Sequence, residues 1–317
     1  MVSPNTSAIT TSFVLLGLVG IESFRYLYAL LSFALYVTTM FVSSMIVYVT
    51  WTKESLHEPM YIFICHLVAN VMFGSSAYLP KLFIDLLTEC FTVSLSACLS
   101  LAFFIQCYGC AEILALTAIA YDRYLAVGHP LRYPTLMTNL TCAKLITTIW
   151  LFVLIGVFVG ILLTARLTDL GADINNVYCE TMSLQQLACS DTTINVIYGT
   201  TWTLFMVIGC MFVIIYCYLK TILICLKLSA EASQKAMHTL VTHVLAFSIC
   251  MTAAMFVTFR YRLSSSSHSA VIHVAISVSG LSLSLTVNPL IYGIRTEALR
   301  VRIVQDLQKL GQIKITF

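Results

Sequence analysis

Charge is the scarcest ingredient of this chain. Asp, Glu, Lys and Arg make up 10% of its 317 residues, against about 25% in a soluble globular domain. That excludes a fold surrounded by water on all sides. A basic leader is also missing: Met1 to Thr11 are polar without Lys or Arg, so no cleavable signal peptide is expected and the first span is expected to act as its own insertion signal. The seven histidines are scattered. His238 and His243, and His268 and His273, are five apart, which misses the i, i+4 spacing that sets two metal ligands on one helix face. There is no phosphate loop, no nucleophile elbow and no inverted repeat. Enzyme, metal-site and transporter readings therefore find no support, and no nucleic-acid partner is expected.

What is abundant is apolar length. Hydrophobic residues are 59% of the chain, and one membrane span needs about 20 of them in a row. Spans are expected at roughly 24–51, 60–87, 94–127, 142–164, 193–226, 234–261 and 270–293. Pro80 should kink the second near its end. Beyond the seventh, Leu299, Ile303, Leu307 and Leu310 form an apolar stripe beside Arg300, Arg302 and Lys309. The tail is either a short helix lying on the membrane surface or a frayed soluble end. The expected fold is an all-α membrane protein, a seven-transmembrane-helix bundle with a short amphipathic C-terminal helix. Its parts are an N-terminal tail (1–23), the bundle (24–293) and a tail with the surface helix (294–317).

Seven spans put the termini on opposite sides. Twelve of the 17 basic residues, Lys53, Arg132, Lys220 and Arg300 among them, gather on one side, and Arg25, Lys81, Arg166, Arg260 and Arg262 lie on the other. The positive-inside rule makes the first side cytoplasmic. The N-terminus is then extracellular, where the sequon Asn5-Thr6-Ser7 would be glycosylated. Of the twelve cysteines, Cys90, Cys98, Cys179 and Cys189 fall outside, where disulfides persist. Four cysteines allow three pairings.

Buried polar residues carry what function there is. Glu112 is the one acid deep inside a span. An intramembrane carboxylate is a functional-site hypothesis, and this one is either a protonated core side chain or an ion ligand. It lies about 16 Å along the helix from Arg123, on the same face. Pro289 breaks a backbone hydrogen bond in the seventh span, and Asn288 is placed to satisfy the freed group. On the outer half, Ile105, Gln106, Gly109 and Cys110 share one helix face. Trp202, Thr203 and Met206 on span five, with Met255 and Thr258 on span six, are expected to face them across a pocket between spans three, five, six and seven. Arg262, at the outer rim, either snorkels to headgroups or clamps a carboxylate with its planar fork.

The string Ile119 to Thr138, IAYDRYLAVGHPLRYPTLMT, resembles the end of the third helix and second cytoplasmic loop of rhodopsin-like receptors, and most closely vertebrate odorant receptors of the fish-type or class I-like branch. Leu56-His57-Glu58-Pro59-Met60-Tyr61 and Lys235-Ala236-Met237-His238-Thr239 are similar to that family too. The resemblance implies a plasma-membrane receptor that binds a small odorant, with a water-soluble, polar or acidic one as the candidate class, and activates an olfactory-type stimulatory G protein. A rhodopsin-like receptor for a non-odorant ligand is the alternative. It also implies a Cys98–Cys179 bridge, which leaves Cys90–Cys189 as a second candidate pair. Asp122, Arg123, Tyr124, Tyr218, His243, Asn288, Pro289 and Tyr292 match the family's switch set, in which Tyr218 and Tyr292 turn toward Arg123 as span six opens. Relatives often pair the Glu112 position with an Asp on span two, implying a sodium ion. Here that position is Val71.

Overall fold

The computed structural model describes residues 12–19, 24–168, 170–227 and 270–313, and between them 229, 234, 237, 240, 241, 243–252 and 255. Asn5, Thr258 and Arg262 lie outside the described residues.

The long helices are α2 (Arg25–Thr52), α3 (Pro59–Thr88), α4 (Leu95–Gly128), α6 (Asn139–Ala165), α8 (Thr193–Cys225) and α10 (Ala270–Arg295). The shorter ones are α1 (Leu16–Val19), α5 (Tyr133–Leu136), α7 (Thr181–Leu187), α9 (His243–Thr252) and α11 (Glu297–Ile313). Among the described residues α2, α3, α4, α6 and α8 are long and apolar enough to cross a membrane. Their starts are chemically marked. Ser94 accepts from the Ala97 N–H and Thr138 from the Thr141 N–H, each closing an otherwise unpaired N-terminal donor. Pro59 stands at the first turn of α3, where a missing N–H costs nothing.

Burial ranks the helices. The most apolar stretch of α4 is 50% buried and that of α3 is 56%, whereas that of α6 is 17%. Thus α3 and α4 are the axis of the bundle, and α6 turns most of its surface to lipid. Two large apolar clusters share the interior. One lies at the Asp122 end and joins Phe63, Leu67, Ile119, Tyr218 and Tyr292 with Leu299 of α11. The other lies at the Cys98 end and joins Tyr78, Leu86, Cys98 and Tyr178 with Phe13, Leu15 and Leu18.

That second cluster changes the reading of the N-terminal tail. Ser12–Leu15 is a strand, β1, lying between β2 (Thr92–Ser94) and β3 (Asp173–Ile174). It runs antiparallel to β2 with Phe13 opposite Val93, and parallel to β3 with Leu15 opposite Ile174. Residues 12–19 are therefore a packed cap over the bundle. The backbones then pass so closely that a Cβ on Gly17 would sit 2.6 Å from the Asn176 carbonyl carbon. A four-residue strand is too short to show a period in sequence.

At the other end α11 docks back on the bundle. Leu299 is fully buried and Ile303 packs on the cluster at the Asp122 end, the inner cluster (that at the Cys98 end being the outer), while Lys53 pairs with Asp306 at 3.6 Å. The helix expected on the membrane surface is present, and its first turns also pack against α2.

Candidate functional site

Three groups of polar residues lie between these helices. The first joins α4 to α10. Glu112, 2% exposed, accepts from the Asn288 amide (2.5 Å), the Tyr108 hydroxyl (2.8 Å) and the Ser284 hydroxyl (2.7 and 2.8 Å). Tyr108 and Ser284 also touch at 2.9 Å, and Asn70 of α3 donates to the Tyr108 carbonyl at 3.0 Å. Asn288 thus serves Glu112, where the sequence suggested the backbone group freed by Pro289. Tyr108 was not foreseen, although Tyr108 and Glu112 are i, i+4, as are Ser284 and Asn288. Each pair shares a helix face. A cation needs a cage of oxygen lone pairs. Here the surrounding groups turn protons to the carboxyl, and Val71 is a fully buried hydrocarbon. The residues present do not fit a sodium ion.

The second group lies at the Asp122 end. Asp122 is fully buried and receives the Arg123 guanidinium at 2.6 and 3.1 Å and the Tyr133 hydroxyl at 2.8 Å. Burial, with the Asp122 carboxylate beside it, pushes the Tyr133 phenol up from its ordinary range, so it stays a donor. Tyr124 points away, edge-on to His129 and Tyr216. Tyr292 is held by His243 of α9, whose Nδ1 lies 3.0 Å from its hydroxyl, while His243 Nε2 is buried without a partner among the described residues. Tyr218 packs in the inner cluster. Arg123 is thus engaged by its own neighbour, and the two tyrosines are turned elsewhere.

The third group is a small cavity of about 20 Å³ between α4, α6 and α8 and beneath α7, lined by Gln106, Gly160, Gln185, Asn195, Tyr198 and Trp202 among others. Gln106 and Trp202 were expected at a pocket, but this one opens toward the fourth span. The reason is Gly156. Without a side chain it lets Trp202 lie on the α6 backbone, stacked between Phe152 (5.0 Å) and Tyr198 (6.4 Å). Tyr198 in turn donates to the Gly156 carbonyl at 2.6 Å. The other expected pocket residues do not line this cavity. Ile105 packs on the outer cluster, Cys110 on the α4–α6 contact, Met206 is buried, Thr203 is half-buried and Met255 is 49% exposed. Among the described residues nothing lies within 4 Å of where a Cβ on Gly109 would be.

Above the cavity, Arg166 donates to Asn195 Oδ1 at 3.2 Å. Asp191 accepts the Thr193 hydroxyl (2.6 Å) and N–H (2.9 Å) at the start of α8. Those bonds, with a contribution from Arg166, hold its carboxyl below the usual range. The Cys98–Cys179 disulfide ties α4 to the loop ahead of α7. The second pair is not formed. Cys90 and Cys189 are both free and exposed. Leu170 forms an antiparallel bridge with Ala188, the residue before Cys189.

None of these contacts calls for a bond to be made or broken. Polar groups buried between helices, able to exchange partners, are the equipment of a membrane receptor. Residues 32–309 match the family model described as olfactory receptor. Human olfactory receptor 52P1 is 33% identical over 97% of this chain and 97% of its own length. Human olfactory receptor 6N1 is 32% identical over 94% and 96%, and mouse olfactory receptor 5AP2 is 32% identical over 90% of each. The chain belongs to the olfactory receptor family. It is an odorant-sensing, G-protein-coupled, multi-pass receptor of the plasma membrane built on a seven-helix bundle, and not an enzyme.

Proposed function

We propose that this receptor seats a small odorant in the cleft between α4, α6 and α8, with its N-terminus and α7 outside the cell and the Asp122–Arg123 end inside. Binding there activates a G protein of the olfactory stimulatory type. The observation that carries this reading is the polar cavity at which Gln106 and Trp202 meet. Its volume of about 20 Å³ holds one water-sized group. A whole odorant therefore fits only after the helices part. A ligand that binds the parted arrangement better shifts the equilibrium by that difference in affinity. The shift would pass along α4, through Glu112 to α10, and release Tyr292 from His243 toward Arg123. Arg262, beyond the described residues, remains an expected second anchor at the rim.

The test is cyclic AMP in cells co-expressing an olfactory stimulatory G protein, challenged with acids, ketones, esters, amines and hydrocarbons. Trp202→Ala should weaken the response to active compounds about tenfold or more, Arg123→Ala should abolish it, and Arg262→Ala should weaken acids selectively. A response that survives Trp202→Ala unchanged at equal surface level moves the pocket elsewhere. A response that survives Arg123→Ala sinks the switch assignment.

A further inference from the structure

We infer that the group recognised in this cavity is a carbonyl oxygen, from a ketone, ester or carboxylic acid; the inference rests on the pocket proposed above. Asn195 is 2% exposed and lines the cavity. Its Oδ1 is already taken by Arg166 at 3.2 Å, which fixes the orientation of the amide. Its Nδ2 is left without a hydrogen-bond partner among the described residues.

Trp202 adds a second donor. Its indole N–H is buried and has no partner of ordinary hydrogen-bond geometry among the described residues; the acceptor beside it is the Cys110 thiol, a weak one. An indole nitrogen can donate but never accept. Asn195 and Trp202 thus line one space that fits a single water-sized atom group, and the Asn195 donor there has no partner among the described residues. Buried donors of this kind are rare in folded proteins and call for a partner.

The charge in contact with Asn195 is that of Arg166, while Asp191 is taken up by Thr193 at the start of α8. Arg166 polarises the Asn195 amide through Oδ1, which strengthens the N–H on the other side. No Asp or Glu is among the residues lining the cavity, so an ammonium group would meet donors and a nearby cation. A hydrocarbon would leave the Asn195 donor unpaired. A carbonyl oxygen, which accepts up to two hydrogen bonds, matches that donor and keeps room for a second. Gln106 and Gln185 line the same space, and their amides can turn either end toward the remainder of the ligand.

The experiment uses the full chain in the cyclic-AMP assay with surface level measured on the same cells. Ligands come in matched skeletons: a ketone, an ester and a carboxylic acid against the alkane and the amine of the same length. The expected result is activation by carbonyl compounds at concentrations where alkane and amine are silent. Asn195→Asp keeps the size and the acceptor facing Arg166 but replaces the free donor with an oxygen. It should raise the half-maximal concentration for carbonyl compounds about tenfold or more at matched surface level, the worth of one buried hydrogen bond. Should that variant fail to reach the surface, Gly160→Leu fills the cavity from the opposite wall and should block the same compounds.

Ketones and esters active without acids would assign a neutral carbonyl, and the reverse a carboxylate; both support the inference. Equal potency of the alkane or amine, or an Asn195→Asp response within twofold of the parent, overturns it. If no compound acts while basal cyclic AMP stays above that of Arg123→Ala, the carbonyl inference falls and the signalling reading stands. If neither ligand nor basal signal appears at full surface level, both fall.

Discussion

Asn288 gives its side-chain N–H to Glu112 across the contact of α4 and α10, at 2.5 Å. That bond, with those of Ser284 and Tyr108, makes Glu112 the polar hinge pin between the two helices. Two hydroxyl protons serve four oxygen contacts here. A proton on Glu112 itself would let Glu112, Ser284 and Tyr108 each donate once around a closed ring.

Glu112→Gln should therefore be tolerated, because an amide supplies one donor and one acceptor in the same place. Glu112→Ala strands several buried donors, each worth about 1–3 kcal/mol. The melting temperature of the detergent-purified receptor should fall by several degrees for Ala and by much less for Gln. Equal losses would mean that an anionic carboxylate is required.

His243 holds the Tyr292 hydroxyl while its own Nε2 is buried and, among the described residues, unpaired. Replacing it with leucine removes an unsatisfied nitrogen and leaves Tyr292 seeking another partner. His243→Leu should raise ligand-independent cyclic AMP several-fold. An unchanged or lower basal level at equal surface expression would show that this contact does not restrain the resting state.

Gly156 and Trp202 are fitted to one another. Gly156→Val drives branched carbon into the indole ring, and overpacking of this kind costs about 1–3 kcal/mol. Trp202→Ala should rescue part of that loss. A double-mutant cycle on melting temperature should give a coupling above about 0.5 kcal/mol; additive effects would disprove the contact.

The start of α8 should resist mild acid. The carboxyl of Asp191 is held below its usual range by Thr193, so the unfolded chain takes up a proton first as pH falls. The stabilisation is fully present above the unfolded value, about 3.9, and is lost as pH drops through the lower folded one. Hydrogen exchange of the Thr193 amide, corrected for its intrinsic rate, should be flat from about pH 5 to 8. It should quicken in Asp191→Asn throughout. A transition near pH 6 in the parent would contradict the assignment.

Cys90 and Cys189 should react with a membrane-impermeant maleimide on intact cells without reductant, whereas Cys98 and Cys179 should need reduction first. Protection of Cys90 and Cys189 until reduction would restore the second bridge.

Much of this was legible in the sequence because lipid imposes a coarse and long-range code. A helix that spans a bilayer must be apolar for about 20 residues, so helix bounds such as Leu95–Gly128 and Thr193–Cys225 agree with the apolar runs within one residue. Glu112 and Asn288 stood out as polar atoms in apolar surroundings. Their partner choice did not, because Asn288 has two plausible acceptors and only three-dimensional packing selects one. The direction of Trp202 was hidden for a related reason: it depends on a glycine 46 residues away on another helix. Asn195 was passed over because a single asparagine near a helix end looks like a cap until its amide is seen buried beside a cavity with its Nδ2 lacking a partner among the described residues. β1 carried too few residues to show a period, and its order comes from neighbours far along the chain.

That strand has a consequence for how the receptor is made. Ser12–Leu15 leaves the ribosome before either of its neighbours, Thr92–Ser94 and Asp173–Ile174, has been translated. Its place between them can be taken only after α6 has been inserted in the bilayer and the loop beyond it has been synthesised. Among the described segments, one of the earliest to be synthesised is therefore among the last to be seated. A bulky group attached just ahead of Ser12 would act on assembly before it acted on signalling, and would show as receptor retained inside the cell with its helices already inserted.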